Sequence, residues 1–151
     1  MLAAIRPDDV NVALLVHVLG AMLLVGALVT ASTAAIVGWS DEGGALRRLS
    51  YKTLLFVGLP AWFVMRIGAQ WVYAEAGWDD VEEEPAWLGI GWVTADLGGI
   101  LLLIALVLGG VGLWRARSGG GGGLLKASAV IATLLLAVYV IAVWAMSGKP
   151  M

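Results

Sequence analysis

The sequence predicts an all-α membrane protein, an antiparallel bundle of four transmembrane helices joined by short loops. Of its 151 residues, 61% are hydrophobic and only 13% are charged, whereas soluble domains average about half apolar and a quarter charged residues. The apolar residues form four runs, each with the roughly 20 residues that a helix needs to cross the hydrocarbon of a bilayer. Short polar or glycine-rich segments separate these runs, so we expect a single membrane domain over residues 1–151.

The four apolar runs define the predicted spans. They are about Val10–Trp39, Thr53–Ala74, Leu88–Trp114 and Leu124–Met146. The first run is about twice as long as the apolar core of a secretory signal peptide, which is about 7–15 residues, and only Arg6 supplies a positive flank. It therefore predicts a permanent helix.

Glycine and proline indicate how the spans pack. Gly58 and Pro60 are expected to bend the second span, because proline removes a backbone donor and clashes with the preceding turn. Small residues let helix backbones approach closely in membranes, and we interpret two sets of them as packing positions within one bundle. These are Gly26, Thr30, Ala34 and Gly38 in the first span, and Gly98, Gly99, Gly109 and Gly112 in the third.

Charges near the membrane ends predict the orientation of the spans. Loop 75–87 carries six acidic residues and no Lys or Arg. The basic residues are Arg47, Arg48, Lys52, Arg115, Arg117 and Lys126 at the other two loops, and Arg6 and Lys149 at the termini. Since positively charged loops stay in the cytoplasm, we expect loops 40–50 and 115–123 to be cytoplasmic. Loop 75–87 and both termini are then expected outside the plasma membrane.

Ionisable residues inside a span are costly in lipid and therefore mark candidate functional positions. This chain has three, His17, Arg66 and Asp96. They lie about 10 to 12 Å from the outer ends of their helices, at about 1.5 Å per residue. Tyr139 in the fourth span reaches the same depth. The sequence thus predicts a polar layer in the outer leaflet, to which each helix contributes one side chain.

Two helical faces surround this polar layer. Spacing by three and four residues places on shared faces Trp62, Arg66, Gln70 and Tyr73 in the second span, and Gly89, Trp92, Asp96 and Gly99 in the third. The small residues leave room beside Asp96 for a long side chain, and a guanidinium matches a carboxylate in bidentate geometry. We therefore expect a buried ion pair between Arg66 and Asp96.

Two interpretations of the polar layer are open. In the first, Arg66 and Asp96 satisfy each other, and His17 and Tyr139 form hydrogen bonds between helices. In the second, the layer lines a pocket open to the outer face, where Arg66 binds an anionic head group, a quinone oxygen or a porphyrin carboxylate. The ligand-binding candidates are His17, Arg66, Gln70, Asp96 and Tyr139.

His17 is the only histidine and so the only strong nitrogen ligand for a metal or a haem iron. Haem held by two histidines of one chain is excluded. Haem b would need as second ligand a methionine (Met22, Met65 or Met146) or the His17 of another chain. A catalytic zinc site normally takes three protein ligands, and this layer offers at most two.

No catalytic residues are predicted. The net charge of −2, with scattered basic residues, argues against a nucleic-acid partner. The serines lie at separate ends of the bundle, which argues against a hydrolase. The glycine run 119–123 lacks the Lys-Ser or Lys-Thr of a phosphate loop, and the acidic loop lacks calcium-loop spacing. The almost wholly apolar cytoplasmic half also argues against a transporter.

Several short motifs carry a resemblance to known families. Five of them resemble segments of small bacterial four-helix integral membrane proteins that have no established activity: Leu59-Pro60-Ala61-Trp62, Met65-Arg66, Trp78-Asp79-Asp80, Trp87-Leu88-Gly89-Ile90-Gly91 and Trp144-Ala145-Met146-Ser147-Gly148-Lys149-Pro150. The opening His17-Val18-Leu19-Gly20 is similar to the first helix of copper-resistance D type proteins. That distant resemblance implies copper handling or haem-linked redox work, with His17 as the matching histidine. The chain has neither the additional histidines of copper exporters nor the membrane-embedded lysine of haem-pathway oxidases.

We therefore expect an integral membrane protein that is an accessory or structural bundle, with a pocket for a small ligand or lipid in the outer leaflet. The alternative is a redox protein that binds haem or quinone, or a protein that handles copper. Its expected partners are the lipid bilayer and either a second copy of the chain or a larger membrane complex.

Overall fold

A computed structural model describes residues 8–40, 44–78 and 85–148 of the chain. The helices are α1 (Asp8–Val37, continued by a 3₁₀ turn Gly38–Ser40), α2 (Ala45–Thr53), α3 (Leu59–Glu75), α4 (Ala86–Ala116) and α5 (Gly122–Gly148). A π-helical turn, Leu54–Gly58, joins α2 to α3. Four rods result that are long and apolar enough to cross a membrane: Val10–Ser40, Ala45–Glu75, Ala86–Ala116 and Gly122–Gly148. The predicted all-α bundle of four long apolar helices is confirmed, and the protein is a multi-pass membrane protein.

Some predicted features lie outside the described residues. They include the acidic residues at 79–84, the terminal residues Arg6 and Lys149, and the loop residues 41–43. The other boundaries of loops 75–87 and 115–123 agree closely with prediction, because α3 ends at Glu75 and α4 at Ala116. Gly119 and Gly121 have φ angles of 82° and 86°, which glycine adopts without steric cost. This glycine run is therefore a tight turn between α4 and α5.

The second rod begins earlier than hydropathy predicts, at Ala45 instead of Thr53. The added turns are amphipathic. Arg48 is exposed, Ser50 is buried at 4%, and the space beside Gly38 is filled by Leu46. Charged residues lower the hydropathy of this stretch without breaking the helix, so the interpretation of residues 45–50 as loop was wrong.

The place where a bend was predicted, Gly58 and Pro60, coincides with the end of the π-helical turn, Leu54–Gly58. The amide of Leu59 donates to the oxygen of Leu54, five residues earlier, and Pro60 has no amide to continue the regular pattern. The helix therefore departs from regular α-helical hydrogen bonding here as a single π-helical turn.

The helices pack in the spatial order α3, α1, α5, α4. The main contacts are between α1 and α3, between α1 and α5, and between α4 and α5, whereas the fourth neighbouring pair, α3 and α4, is in contact only lightly. The most deeply buried large side chains are Leu24, Leu28, Leu54, Leu102 and Leu135. The bundle is therefore closed on three sides and only lightly closed between α3 and α4.

Glycines of α4 form close contacts, as predicted. An added Cβ at Gly98 would meet the Tyr139 hydroxyl at 2.6 Å, and one at Gly109 would meet the ring of Tyr51. The set on α1 differs from the prediction. Gly26 and Thr30 are exposed, and nothing lies within 4 Å of a Cβ built on Gly26. Only the Ala34 and Gly38 end of that set packs inside this bundle.

Candidate functional site

Arg66 on α3 and Asp96 on α4 form the predicted ion pair. The Arg66 Nε–H donates to Asp96 Oδ1 at 3.0 Å. A second donor, Nη1, binds Gln70 Oε1 at 3.2 Å, and the guanidinium carbon lies 4.3 Å from the ring centroid of Trp92. Because Nη1 is turned toward Gln70, the pair has a single contact and the expected bidentate geometry was wrong.

The ion pair is not buried by the protein, which also differs from the prediction. The side chain of Arg66 is 26% exposed and that of Asp96 is 57% exposed. The reason is the light packing between α3 and α4, which leaves the polar groups at the outer surface of this junction. We call Arg66, Gln70, Trp92 and Asp96 the polar face. Within the described residues, Asp96 Oδ2 has no hydrogen-bond partner.

Aromatic side chains connect α3 to α4 on either side of the ion pair. The indole N–H of Trp62 donates to the backbone oxygen of Ala95 at 3.0 Å, and its ring fills the space beside Gly99. Toward the acidic loop, Tyr73 and Trp92 meet edge to face with centroids 5.5 Å apart. The two predicted helical faces therefore do meet, mainly through these side chains.

Tyr139 lies beneath the polar face instead of on it. Its side chain is 5% exposed and packs against Gly98, close to the Trp62 indole and to Asp96. In the part of the chain that the structure describes, its hydroxyl has no hydrogen-bond partner. Trp62 and Tyr139 together fill the interior of the layer, so its accessible polar groups are those of the polar face.

His17 forms a separate contact between α1 and α3. Its Nδ1 lies 3.0 Å from the backbone oxygen of Met65. A carbonyl can only accept, so Nδ1–H is the donor of this contact. The backbone of His17 also packs against Gly68. The structure thus brings Arg66, Gln70 and Asp96 together but places His17 on another side of α3.

Ligands for a metal ion or a haem are few among the described residues. They contain no group of three or more His, Cys, Asp or Glu side chains that could hold a metal ion. For haem, Met65 is packed in the core, and Met22 is five residues from His17 and therefore on another face of α1. Met146, the third methionine considered, packs against Gly91 of α4. None of these three methionine sulfurs is paired with the His17 ring in the described residues.

Trp92 was not among the predicted site residues, although it covers the Arg66 guanidinium. Its signal in the sequence is its position four residues before Asp96, on the face turned toward Arg66.

Two apolar clefts lie away from the polar face. One, of about 220 Å³, is between α1 and α5, and the other, of about 300 Å³, is on the outer surface of α4 between Ile100 and Leu108.

Comparison with known proteins adds no relative to this picture. No family model, no curated protein and no solved structure matches the chain. The function is therefore argued from the geometry of the polar face and of His17.

Proposed function

We propose that this protein is a non-enzymatic accessory protein of the cell membrane, whose polar face holds the head group of a phospholipid. The observation that carries the proposal is the exposure of Asp96, which is 57%. A carboxylate with one free oxygen is costly in a membrane span unless a further group covers it. A head group that donates hydrogen bonds supplies that cover.

The charges of the polar face favour a zwitterionic head group. Two polar atoms of the ion pair, Arg66 Nη2 and Asp96 Oδ2, take part in none of the described hydrogen bonds. A positive and a negative group lie side by side, so a phosphate is attracted to Arg66 and an ammonium to Asp96. Phosphatidylethanolamine carries both and also donates hydrogen bonds. A purely anionic head group would be repelled by the carboxylate of Asp96.

The depth of the polar face suits a head group. The helix α4 has 31 residues and is about 46 Å long, which exceeds a hydrocarbon core of roughly 30 Å by about 8 Å at each end. Asp96 is about 15 Å from the start of α4 and so about 7 Å inside the hydrocarbon boundary. Local thinning and water penetration make that distance accessible.

The test is native mass spectrometry of the delipidated full chain with phosphatidylethanolamine or phosphatidylcholine of the same acyl chains. We expect wild type to prefer phosphatidylethanolamine, because the choline head group lacks N–H donors. Asp96→Asn should remove the preference. Glu75→Gln, which neutralises an exposed carboxylate at the end of α3, should keep it. Equal binding of the two lipids by wild type would exclude the proposal.

A double substitution separates the ligand role from simple pairing of charges. Arg66→Leu leaves the Asp96 carboxylate without its partner and should cost about 1–3 kcal/mol, discounted for its exposure. Asp96→Leu should cost less, because Arg66 keeps Gln70 and Trp92. The double variant should recover stability but lack the lipid preference. A stable double variant that still prefers phosphatidylethanolamine would place the lipid elsewhere.

A haem-binding redox protein is a second candidate, supported by the orientation of His17. Histidines that ligate metals usually donate their other ring N–H to a carbonyl or carboxylate, as Nδ1 does to Met65. The test is a visible absorption spectrum of the protein purified from its native membrane, oxidised and dithionite-reduced. A haem band lost in His17→Ala and kept in Asp96→Asn would support this candidate. A spectrum without a band would remove it.

A further inference from the structure

A second surface, at the opposite end of the bundle from the polar face, combines an apolar cleft with positive charge. The cleft between α1 and α5 has a volume of about 220 Å³. Its floor is made of small buried residues, Ala35 at 2% and Ala129 at 6% exposure. Its walls are the larger side chains Ile36, Trp39, Val130, Thr133 and Leu134. The small alanine side chains leave a groove along the outside of the bundle.

Lys126 stands at the mouth of this cleft. It precedes Ala129 by one helical turn, and its Nζ lies 4.9 Å from the ring centroid of Trp39. Lysine and tryptophan both favour the boundary between hydrocarbon and head groups, so this end of the cleft is expected at the head-group level. The contact with Trp39 holds the ammonium beside the opening of the cleft.

A second cation lies close to the same mouth. The Arg47 guanidinium is 3.7 Å from a Cβ built on Gly122, and Gly122 is one turn before Lys126 on the same face of α5. The acidic residues of the described segments, Glu75 and Asp96 among them, lie toward the other end of the bundle. Asp41 and Glu42 are outside the described residues. Within the described segments, the charged side chains placed at the mouth are therefore those of Lys126 and Arg47.

We propose that this cleft binds an anionic phospholipid, with one acyl chain along α5 and the phosphate at Lys126. The distance along α5 from Lys126, outside the mouth, to Leu134 at the far end of the cleft is about 12 Å, which is most of one leaflet of a hydrocarbon core roughly 30 Å thick. Basic pockets between helices on the cytoplasmic side of membranes suit acidic head groups. The apolar wall accepts any acyl chain, and Lys126 selects the negative head group. The proposal is independent of the polar face.

The experiment is a native mass spectrometry titration of the delipidated full chain with phosphatidylglycerol and, separately, phosphatidylcholine of identical chains. Wild type should bind the first phosphatidylglycerol more tightly. Lys126→Gln should weaken that binding about fivefold, as expected for one basic residue at an acidic head group. Arg117→Gln, the matched control in the exposed turn after α4, removes the same charge and should change it by less than about twofold.

A second variant tests the acyl-chain part of the site. Thr133 is exposed on the cleft wall, so Thr133→Phe should fill the cleft without disturbing the core, and phosphatidylglycerol binding should fall although Lys126 is intact. Circular dichroism and a monodisperse elution profile establish that both variants are folded. Equal effects of Lys126→Gln and Arg117→Gln, or equal affinity for the two lipids, would overturn the proposal. A protein dimer that Thr133→Phe disrupts without any lipid dependence would assign the cleft to a second copy instead.

Discussion

Trp62 of α3 is fixed to Ala95 of α4 by a hydrogen bond of 3.0 Å from the indole N–H to the backbone oxygen. The same ring lies where a side chain on Gly99 would stand. Because α3 and α4 are in contact only lightly, this contact is a main connection across the lightly closed side of the bundle. It also lies next to the ion pair between Arg66 and Asp96 along α4, since Ala95 precedes Asp96.

Gly99→Ala should weaken this connection. The new methyl group would overlap the Trp62 ring, so the ring must move and its hydrogen bond, worth about 0.5–1.5 kcal/mol, is lost or distorted. Together with the cost of overpacking, we expect the free energy of unfolding to fall by about 1–3 kcal/mol. It is measured by unfolding the detergent-solubilised protein in increasing SDS.

Gly89→Ala is the matched control on the same helix. Nothing lies within 4 Å of a Cβ at Gly89, and alanine is the better helix former by about 1 kcal/mol. This variant should be as stable as wild type or more stable. If Gly99→Ala were equally stable, the Trp62 contact would not hold α3 against α4.

Substitutions at the crossing of α1 and α3 should be more harmful. A Cβ at Gly20 would overlap the backbone of Met65, and one at Gly68 would overlap the backbone of His17. Backbone atoms cannot rotate away as a side chain can, so Gly20→Ala and Gly68→Ala should each cost near the upper end of about 1–3 kcal/mol. The SDS unfolding midpoint measures this, with Gly26→Ala as the control on α1, where the space is open. A loss of stability in Gly26→Ala as large as in Gly20→Ala would contradict the assigned crossing.

Removal of the hydroxyl group should have different effects on stability at two buried serines, Ser128 and Ser32. Ser128 Oγ donates to the oxygen of Ala105 at 2.8 Å, whereas Ser32 Oγ has no hydrogen-bond partner within the described residues. Hydrogen bonds between membrane helices are worth about 0.6 kcal/mol on average, so Ser128→Ala should lose about that much. Ser32→Ala should be neutral or stabilising, because it removes a buried polar group that is not paired. The same unfolding assay compares them, and destabilisation by Ser32→Ala would mean that this hydroxyl has a partner.

The sequence predicted the four spans because long apolar runs have no other stable place than lipid or a large core. Hydropathy did not predict the helix at residues 45–50, because Arg47 and Arg48 lower the mean hydropathy of a helix that begins before the apolar run. The partners Arg66 and Asp96 were also predictable, since two charges at one depth on adjacent spans have few other ways to be satisfied.

What sequence reasoning missed depends on how far each helix is rotated and how closely it packs. The exposure of Asp96 follows from the light contact between α3 and α4, which no spacing rule gives. The separation of His17 from the polar face follows from its position between α1 and α3. The pairing of Lys126 with Trp39 joins the last helix, α5, to the end of the first, and depth alone cannot choose such partners.

The orientation of the bundle is the last prediction, and it rests on the excess of Lys and Arg near loops 40–50 and 115–123. The chain has no cysteine, so Ala76→Cys and Ser118→Cys each introduce one thiol at an exposed position, on opposite ends of the bundle. A membrane-impermeant maleimide added to intact cells should label the Ala76→Cys variant. It should label the Ser118→Cys variant only after permeabilisation, since positively charged loops are retained in the cytoplasm. The reverse pattern would put the polar face in the cytoplasmic leaflet and the cleft beside Lys126 in the outer one.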